Sequence, residues 1–265
     1  MRRHASPDSH ELQTLLDHHR PRRVGIVGQP PRAMIAELNH RACEILDLDA
    51  LLVSADMEAT ITILPRVYCA ILRTVVLNAL HLELDMICID TGPGKCDSAL
   101  YVATILRETL AIPVVTTVNR DAEPCGHPFC RAELDLTEKF LAITSGVKSA
   151  LPSANPPLPC RPTAGFWGVP PRDFAILAHF PTTTHVYGWS RCLENKTPAD
   201  LALELHYNPE IPTVFFAQSF CAKTALARHL AGRHPKALYL DLDLHTTSSA
   251  RAKVQAFLEL TGATP

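Results

Sequence analysis

The sequence predicts an α/β protein with two lobes, each built on a doubly wound parallel sheet. Short apolar segments that end at Gly or Pro alternate with longer segments whose apolar residues recur at helical spacing, a pattern typical of parallel strands joined by crossover helices. The octapeptides Gly25–Arg32 and Gly165–Arg172 share five of eight positions, which indicates an internal pseudo-repeat. Together these observations predict two Rossmann-like lobes related by that repeat.

Composition narrows the classes of protein to consider. The chain has 265 residues, of which 47% are hydrophobic, enough for a buried core. Its formal net charge of -2 indicates neither nucleic acid nor an anionic membrane as a partner. Met1–Asp8 is basic but no apolar stretch follows it, and no later run reaches the roughly 18 apolar residues that span a bilayer. We therefore expect a cytoplasmic protein.

Residues 1–22 predict a polar N-terminal helical segment, and residues 23–120 predict the first lobe. Within that lobe, strands are predicted from apolar runs bounded by turn residues, and helices from apolar residues spaced three and four apart. The predicted strands are Arg23–Gly28, Asp49–Ser54, Met86–Asp90 and Ile112–Val118, and the predicted helices are Arg32–Leu46, Val67–Leu80 and one from Cys96 to about Leu110.

Residues 121–162 interrupt this alternation and are rich in proline. We interpret them as a crossover and linker with one helix near Leu134–Ile143. Residues 163–265 form the predicted second lobe, which follows the order of the first. Its predicted elements are a strand in the Gly165–Arg172 repeat, strands Thr184–Gly188, Thr213–Ala217 and Ala237–Asp243, a helix to about Ala231 and a last helix Ser249–Leu260.

Nine cysteines are many for a protein of a reducing compartment, where structural disulfides are rare, so their number favours metal ligation or redox chemistry. Cys43 and Cys88 lie inside apolar segments and are interpreted as core residues. Cys96 differs, because it follows the apolar strand Met86–Asp90 and a Gly/Pro turn and stands where a helix begins. Backbone N–H groups and the helix dipole favour a thiolate at such a position.

The same order of strand, turn, cysteine and helix recurs at Cys221. Two further cysteines keep a similar interval, since Cys69 precedes Cys96 by 27 residues and Cys192 precedes Cys221 by 29. Ligands of open α/β sheets bind at the carboxyl ends of the strands. We therefore expect Cys96 and Cys221 to meet in a cleft where the lobes face each other, with Cys69 and Cys192 within reach of it.

Three or four thiolates from separate lobes suit an iron–sulfur cluster, because iron in such clusters prefers thiolate ligands. Zinc is the competing metal, but structural zinc sites usually use tight Cys-x₂₋₄-Cys pairs. One tight pair exists, Cys125-x₄-Cys130, with His127 between its cysteines. It is open to three interpretations: a zinc half-site, a half-site for a second cluster, or a turn.

Four short motifs, in this order, resemble the 2-hydroxyacyl-CoA dehydratase and benzoyl-CoA reductase subunits. The motifs are Tyr68-Cys-Ala-Ile-Leu-Arg73, Lys95-Cys-Asp97, Gln218-Ser-Phe-Cys221 and the C-terminal segment Thr246–Glu259. The resemblance extends over most of residues 23–260. It implies a [4Fe-4S] cluster held by Cys69, Cys96 and Cys221 between two Rossmann-like domains.

The function that the resemblance implies follows from this ligand set. Three protein ligands on four irons leave one iron open as a Lewis acid. In the family, an ATP-hydrolysing activator protein supplies a low-potential electron, which the cluster passes to an acyl-CoA thioester. The resemblance thus implies a lyase or an oxidoreductase that acts on an acyl-CoA-like substrate. It also implies an activator as a partner, together with a homologous subunit or a second copy of the chain in a homodimer.

Two departures from the family pattern keep alternatives open. The chain is shorter than the usual subunit, and Cys192 as a fourth ligand would close the cluster. A closed cluster would favour electron transfer or a structural role over dehydration. The second hypothesis is therefore a non-catalytic, cluster-carrying subunit of a larger reductase. The third is a metal-free α/β protein that binds a small molecule.

Several charged residues adjoin these motifs. Arg32 and Arg172 end the matched turns and are candidate ligands for phosphate groups. Lys95 and Lys223 neighbour the candidate cysteines, where either an offset to the charge of a cluster or a solvated lysine would account for them. Asp97 begins a helix, where an acidic residue interacts favourably with the helix dipole.

Four ring-bearing residues crowd the strands of the second lobe, and either packing or a substrate-facing wall would account for them. These residues are Trp167, His185, Tyr187 and Trp189. The segment Gly92-Pro-Gly-Lys95 lacks the full phosphate-loop pattern, so we expect no ATP hydrolysis by this chain.

Overall fold

The computed structural model describes residues 9–125, 128–153 and 155–264, which form two compact units. The first unit contains the described residues through Glu123 together with Val147–Leu151 and Lys196–Ala199. The second contains the described residues of Pro124–Gly146 and Pro152–Asn195 and those from Asp200 onward. Each unit carries its own four-stranded sheet.

The sheet of the first unit is entirely parallel, with the strand order β2-β1-β3-β4. Its strands are β1 Arg23–Val27, β2 Glu44–Asp47, β3 Met86–Asp90 and β4 Val114–Thr117. All five residues of β3 are buried. This fits its apolar sequence, because the inner strands of a parallel sheet are covered on both faces.

The sheet of the second unit repeats this topology, with all strands parallel in the order β6-β5-β7-β8. Its strands are β5 Gly165–Gly168, β6 His185–Tyr187, β7 Thr213–Gln218 and β8 Ala237–Leu242. Gly25 of β1 pairs with Ile87 of β3, and Gly165 of β5 pairs with Thr213 of β7, so the repeated octapeptides begin in corresponding strands. The predicted α/β class with two parallel, Rossmann-like sheets is confirmed.

Helices flank both sheets. In the described part of the chain the α-helices are α1 Ser9–His19, α2 Arg32–His40, α3 Ala70–His81, α4 Asp97–Thr109, α5 Leu136–Gly146, α6 Trp189–Asn195, α7 Leu201–Leu205, α8 Lys223–Ala231 and α9 Ser248–Leu260. Short 3-10 helices occupy Met57–Thr60, Pro128–Arg131 and Phe174–His179. None of these helices is long and apolar enough to cross a membrane.

Helix α2 ends six residues before the predicted Leu46, at His40. Ala42 adopts the left-handed conformation, with φ +55°. The N–H of Cys43 donates to the carbonyl of Leu38 at 3.0 Å, and the N–H of Ala42 donates to that of Asn39 at 3.0 Å. This hydrogen-bond pattern is a Schellman motif, which usually has glycine at the left-handed position. Because alanine occupies that position here, the sequence did not indicate that the helix ends.

The predicted second strand Asp49–Ser54 is also wrong. The strand is β2, Glu44–Asp47, and residues 49–54 lie outside any strand, with Leu51 and Leu52 exposed. Because the helix stops early, Ile45 is available to the sheet, where it is buried. The error therefore follows from the unrecognised helix end.

The two cysteines interpreted as core residues differ. Cys88 in β3 is buried, as predicted. Cys43 lies beyond the end of α2, is only half-buried, and its Sγ contacts the carbonyl oxygen of Pro21 at 3.2 Å. Helix α3 also starts later than predicted, at Ala70 rather than Val67, so Cys69 precedes the helix instead of lying within its first turn.

The core of the second unit covers both faces of its sheet. On one face, Trp167 and Phe215 pack with Leu230 of α8. On the other, Phe166 packs edge-on against Phe140 of α5, with ring centroids 5.1 Å apart. Neighbouring residues of β5 thus point to opposite faces, as the period of two in a strand requires.

Candidate functional site

The carboxyl edge of the first sheet is organised around Asp90, the last residue of β3. Its side chain is 0% exposed, and its Oδ1 accepts hydrogen bonds from the N–H of Gly92 at 3.1 Å and of Asn119 at 3.0 Å. These bonds join the loop after β3 to the loop after β4. Asp90 therefore shapes the edge at which ligands of parallel sheets bind.

The second oxygen of Asp90, Oδ2, is buried and has no hydrogen-bond partner among the described residues. Burial raises the pKa of this carboxyl to about 6, although the nearby Lys95 ammonium acts in the opposite direction. A carboxyl with such a pKa exchanges a proton near neutral pH. Asp90 was not among the site residues predicted from the sequence. The feature that could have indicated it is an ionisable side chain at the end of an apolar, buried strand.

Two more carboxyl groups, those of Asp47 and Asp49, lie at and just beyond the end of β2. The N–H of Gly28 donates to Oδ2 of Asp49 at 2.7 Å. Burial and the charge of Asp49 raise the pKa of Asp47 to about 8, and Lys95 lowers it in part. The ammonium group of Lys95 thus interacts with the carboxyl groups of Asp47 and Asp90 in this unit. This interaction is separate from the predicted role of Lys95, which is to offset the charge of a cluster bound at Cys96.

Cys69 and Cys96 occupy equivalent positions on successive helices of the first unit. Cys69 is the N-cap residue of α3, and Cys96 is the N-cap residue of α4. Each helix returns the chain to the next parallel strand and so begins at the carboxyl edge of the sheet. Both sulfurs therefore lie at the positive end of a helix dipole, and neither side chain makes a cap hydrogen bond. Asp97 in the first turn of α4 interacts with the same dipole.

In the second unit, Cys221 follows β7 and leads into α8. Its N–H donates to the carbonyl of Gln218 at 3.0 Å, and its own carbonyl accepts from the N–H of Thr224 at 3.0 Å. The preceding Phe220 has φ +60° and is 58% exposed. A bulky residue in the left-handed region is strained, and such strain clusters at functional sites.

Cys192 differs from these three cysteines. It is the fourth residue of α6, is 0% exposed, and its Sγ contacts the carbonyl oxygen of Asp200 at 3.6 Å. Burial raises the pKa of its thiol to about 12. Cys69 precedes α3, whereas Cys192 lies within α6, so the similar sequence intervals do not correspond to similar positions in the two units.

The Cys125–Cys130 segment packs against the end of α6. The N–H of Cys125 donates to the carbonyl of Asn195 at 2.9 Å, and the N–H of Cys130 donates to Oε1 of Glu194 at 3.0 Å. Cys130 is fully buried, which raises the pKa of its thiol to about 12. His127, the third residue of the predicted half-site, lies outside the described residues.

Lys223, beside Cys221, is engaged within the second unit. Its ammonium forms an ion pair with Glu204 and lies 4.4 Å from the ring centroid of Trp189. Since Glu204 is buried, the pair compensates a charge inside the unit. Its proposed role of offsetting a cluster charge therefore competes with this internal role.

An open groove of about 690 Å³ adjoins Cys221. Its walls come from the first turns of α8 and from β8, and the lining residues are Cys221, Ala222, Thr224, Ala225, Arg228, His229, Tyr239 and Asp241. Oδ1 of Asp241 accepts a hydrogen bond from Ser219 at 2.6 Å.

The ring-bearing residues of the second unit are all buried, as the packing interpretation predicts. They are Trp167, His185, Tyr187 and Trp189. Nε1 of Trp167 donates to the carbonyl of Glu204 at 2.9 Å, and Nε2 of His185 lies 2.9 Å from the carbonyl oxygen of Cys160. These contacts give the polar atoms partners within the unit.

The described part of the chain contains all nine cysteines, each as a thiol, and in that part no group of three or more Cys, His, Asp or Glu side chains could hold a single metal ion. The chain matches no family model, and a search of curated proteins returned no match. The class that the fold defines is thus an α/β protein with two four-stranded, all-parallel sheets flanked by helices.

Proposed function

We propose that the chain is an iron–sulfur protein in which Cys69, Cys96 and Cys221 bind a [4Fe-4S] cluster. The observation that carries the proposal is their position at the start of α-helices that begin at the carboxyl edge of a parallel sheet: Cys69 and Cys96 are N-cap residues, and Cys221 directly precedes the N-cap residue Ala222. Helix N-termini stabilise the anionic sulfur that a cluster requires. Cys192 lacks this feature, which supports three ligands rather than four.

The donor set fits the chemistry of a cluster. Thiolates are the protein ligands that iron–sulfur clusters use, and each thiolate binds a different iron, so the ligands need not converge on one ion. When bound, the cluster would supply low-potential electron transfer and an open iron for a substrate oxygen. In this proposal, Asp90 accepts and releases a proton at the same edge of the first sheet, because its pKa is raised to about 6.

The finer functional proposal rests on the sequence resemblance. We propose dehydration or reduction of an acyl-CoA-like substrate, with an ATP-hydrolysing activator and a homologous subunit or second copy of the chain as partners. The nine thiols suit a reducing compartment, which supports a cytoplasmic location.

Anaerobic reconstitution with iron and sulfide tests the cluster directly. We expect about four irons and about four acid-labile sulfides per chain, with the electron paramagnetic resonance signal of a reduced cluster. Cys69→Ser, Cys96→Ser and Cys221→Ser should each reduce the iron content. Cys43→Ser is the matched control, because Cys43 is half-buried but follows a helix instead of preceding one.

The outcomes separate the three hypotheses. An iron-free protein, or equal loss of iron in Cys43→Ser and Cys96→Ser, would overturn the cluster proposal and leave a metal-free α/β protein. Cys192→Ala should retain its iron, and loss of iron there would indicate a closed, four-cysteine cluster. A loaded protein that fails to turn over acyl-CoA thioesters with a reductant and an activator would support the cluster-carrying subunit instead.

A further inference from the structure

The repeated octapeptides end in two arginines with different surroundings. In the first unit, the backbone N–H of Arg32 donates to Oδ2 of Asp121 at 2.8 Å. Nε of the same arginine lies 3.7 Å from that oxygen. Asp121 therefore anchors the turn after β1 and also compensates the charge of the guanidinium group.

In the second unit, a neutral side chain makes the corresponding backbone contact. The N–H of Arg172 donates to Oε1 of Gln218 at 3.0 Å, and Nε2 of Gln218 donates to the carbonyl of Leu242 at 2.8 Å and to that of Asp243. Gln218 thus anchors the turn after β5 as Asp121 anchors the turn after β1. It provides no negative charge for the guanidinium group.

Among the described residues, no carboxylate forms an ion pair with the guanidinium group of Arg172. Its Nε and Nη1 atoms are buried and have no hydrogen-bond partner among the described residues. The carboxylate of the adjacent Asp173 is engaged elsewhere, by the N–H groups of Ala175 at 2.9 Å and Thr246 at 2.8 Å. Burial lowers the pKa of Arg172 to about 10.

Buried guanidinium nitrogens without hydrogen-bond partners are costly, and native proteins rarely keep them without a function. The guanidinium group binds planar and tetrahedral oxyanions through paired N–H donors. Arg172 also lies in the turn that follows the carboxyl end of β5, the edge at which open α/β sheets bind ligands. The missing partner is therefore best supplied by a ligand.

We propose that Arg172 is a binding residue for the carboxylate or phosphate group of a ligand at the carboxyl edge of the second sheet. The proposal rests on side chains of the second unit alone and does not depend on an iron–sulfur cluster. Arg32 has no such role, because Asp121 already occupies the corresponding position.

The test compares Arg172→Gln with the matched variant Arg32→Gln in the full chain without iron. Inorganic phosphate and acetate are titrated separately by calorimetry, with chloride as the control anion. We expect phosphate, acetate or both to bind the wild-type chain, and the dissociation constant to rise about tenfold or more in Arg172→Gln but to stay unchanged in Arg32→Gln. The anion that binds more tightly identifies the ligand class.

A second measurement needs no ligand. In chloride buffer, Arg172→Gln should unfold at the same or a higher urea concentration than the wild-type chain, because it removes an uncompensated buried charge. Arg32→Gln should unfold at a lower concentration, because it removes the guanidinium group that compensates the charge of Asp121. Absence of phosphate and acetate binding to the wild type, equal binding to Arg172→Gln, or a loss of stability in Arg172→Gln as large as in Arg32→Gln would overturn the proposal.

Discussion

The side chain of Lys95 lies against the α-carbon of Gly28, in the space that a β-carbon at position 28 would need. Gly28 also adopts the left-handed conformation, with φ +71°. Its missing side chain thus admits the lysine from the loop after β3 to the end of β1. The glycine of the repeated octapeptide is required here both for its backbone conformation and for the space beside it.

Gly28→Ala should therefore destabilise the chain. The left-handed conformation costs a non-glycine residue about 1–2 kcal/mol, and Lys95 would also have to leave its position beside the acidic groups. Urea denaturation of the two proteins measures the difference. Gly146→Ala is the control, because a β-carbon at the end of α5 meets no atom within 4 Å. It should leave stability unchanged or raise it, and an equal loss in both variants would contradict the prediction.

The stability of the first unit should depend on the ionisation of Asp90. Burial raises its pKa from 3.8 to about 6, so the stability that its protonated form contributes is complete below about pH 3.8 and is lost as the pH rises through about 6. Asp90→Asn carries no such charge. Relative to the wild type, this variant should gain about 2 kcal/mol between about pH 4 and about pH 8, as followed by urea denaturation.

Asp85 provides a control of opposite sign. Its carboxylate accepts from the N–H groups of Arg22 at 2.7 Å and Arg23 at 2.8 Å, which lower its pKa. Its contribution is present above its unfolded pKa and is lost as the pH falls. Asp85→Asn should therefore lose stability relative to the wild type as the pH rises. Parallel pH profiles for Asp90→Asn and the wild type would refute the role assigned to Asp90.

Thiol labelling should separate the cysteines by burial. In the native, iron-free chain, iodoacetamide should modify Cys96, which is partly accessible at the start of α4, before Cys88, Cys130 and Cys192. Burial raises the pKa of these three thiols to about 12, so they hold little thiolate for the reaction. Mass spectrometry of peptides taken over time measures the order.

Denatured protein supplies the reference for the labelling. In concentrated urea all four thiols should react at similar rates, because burial no longer protects any of them. Modification of Cys192 as fast as Cys96 in the native chain would show that Cys192 is accessible. That result would restore it as a candidate fourth ligand.

Part of this protein is determined by its sequence alone. The apolar run Met86–Asp90 bounded by turn residues predicts β3 at its observed limits, and the repeated octapeptides predict two units of the same topology. Local periodicity suffices for such elements, because a buried parallel strand needs an unbroken apolar run. The helix starts after Cys69 and Cys96 follow from the same local signals within a few residues.

Tertiary structure alone decided the rest. Ala42 follows α2 in a left-handed conformation that alanine seldom adopts, so the residue types at this position did not predict the end of the helix. Arg32 and Arg172 occupy matching positions in the sequence, yet within the part of the chain that the structure describes only Arg32 has a carboxylate paired with its guanidinium group. That difference depends on residues far along the chain, Asp121 and Gln218, which the folded sheets bring to the two turns. Whether a buried charge is compensated depends on the residues that surround it in the folded protein. The spacing of residues along the sequence therefore did not predict this difference.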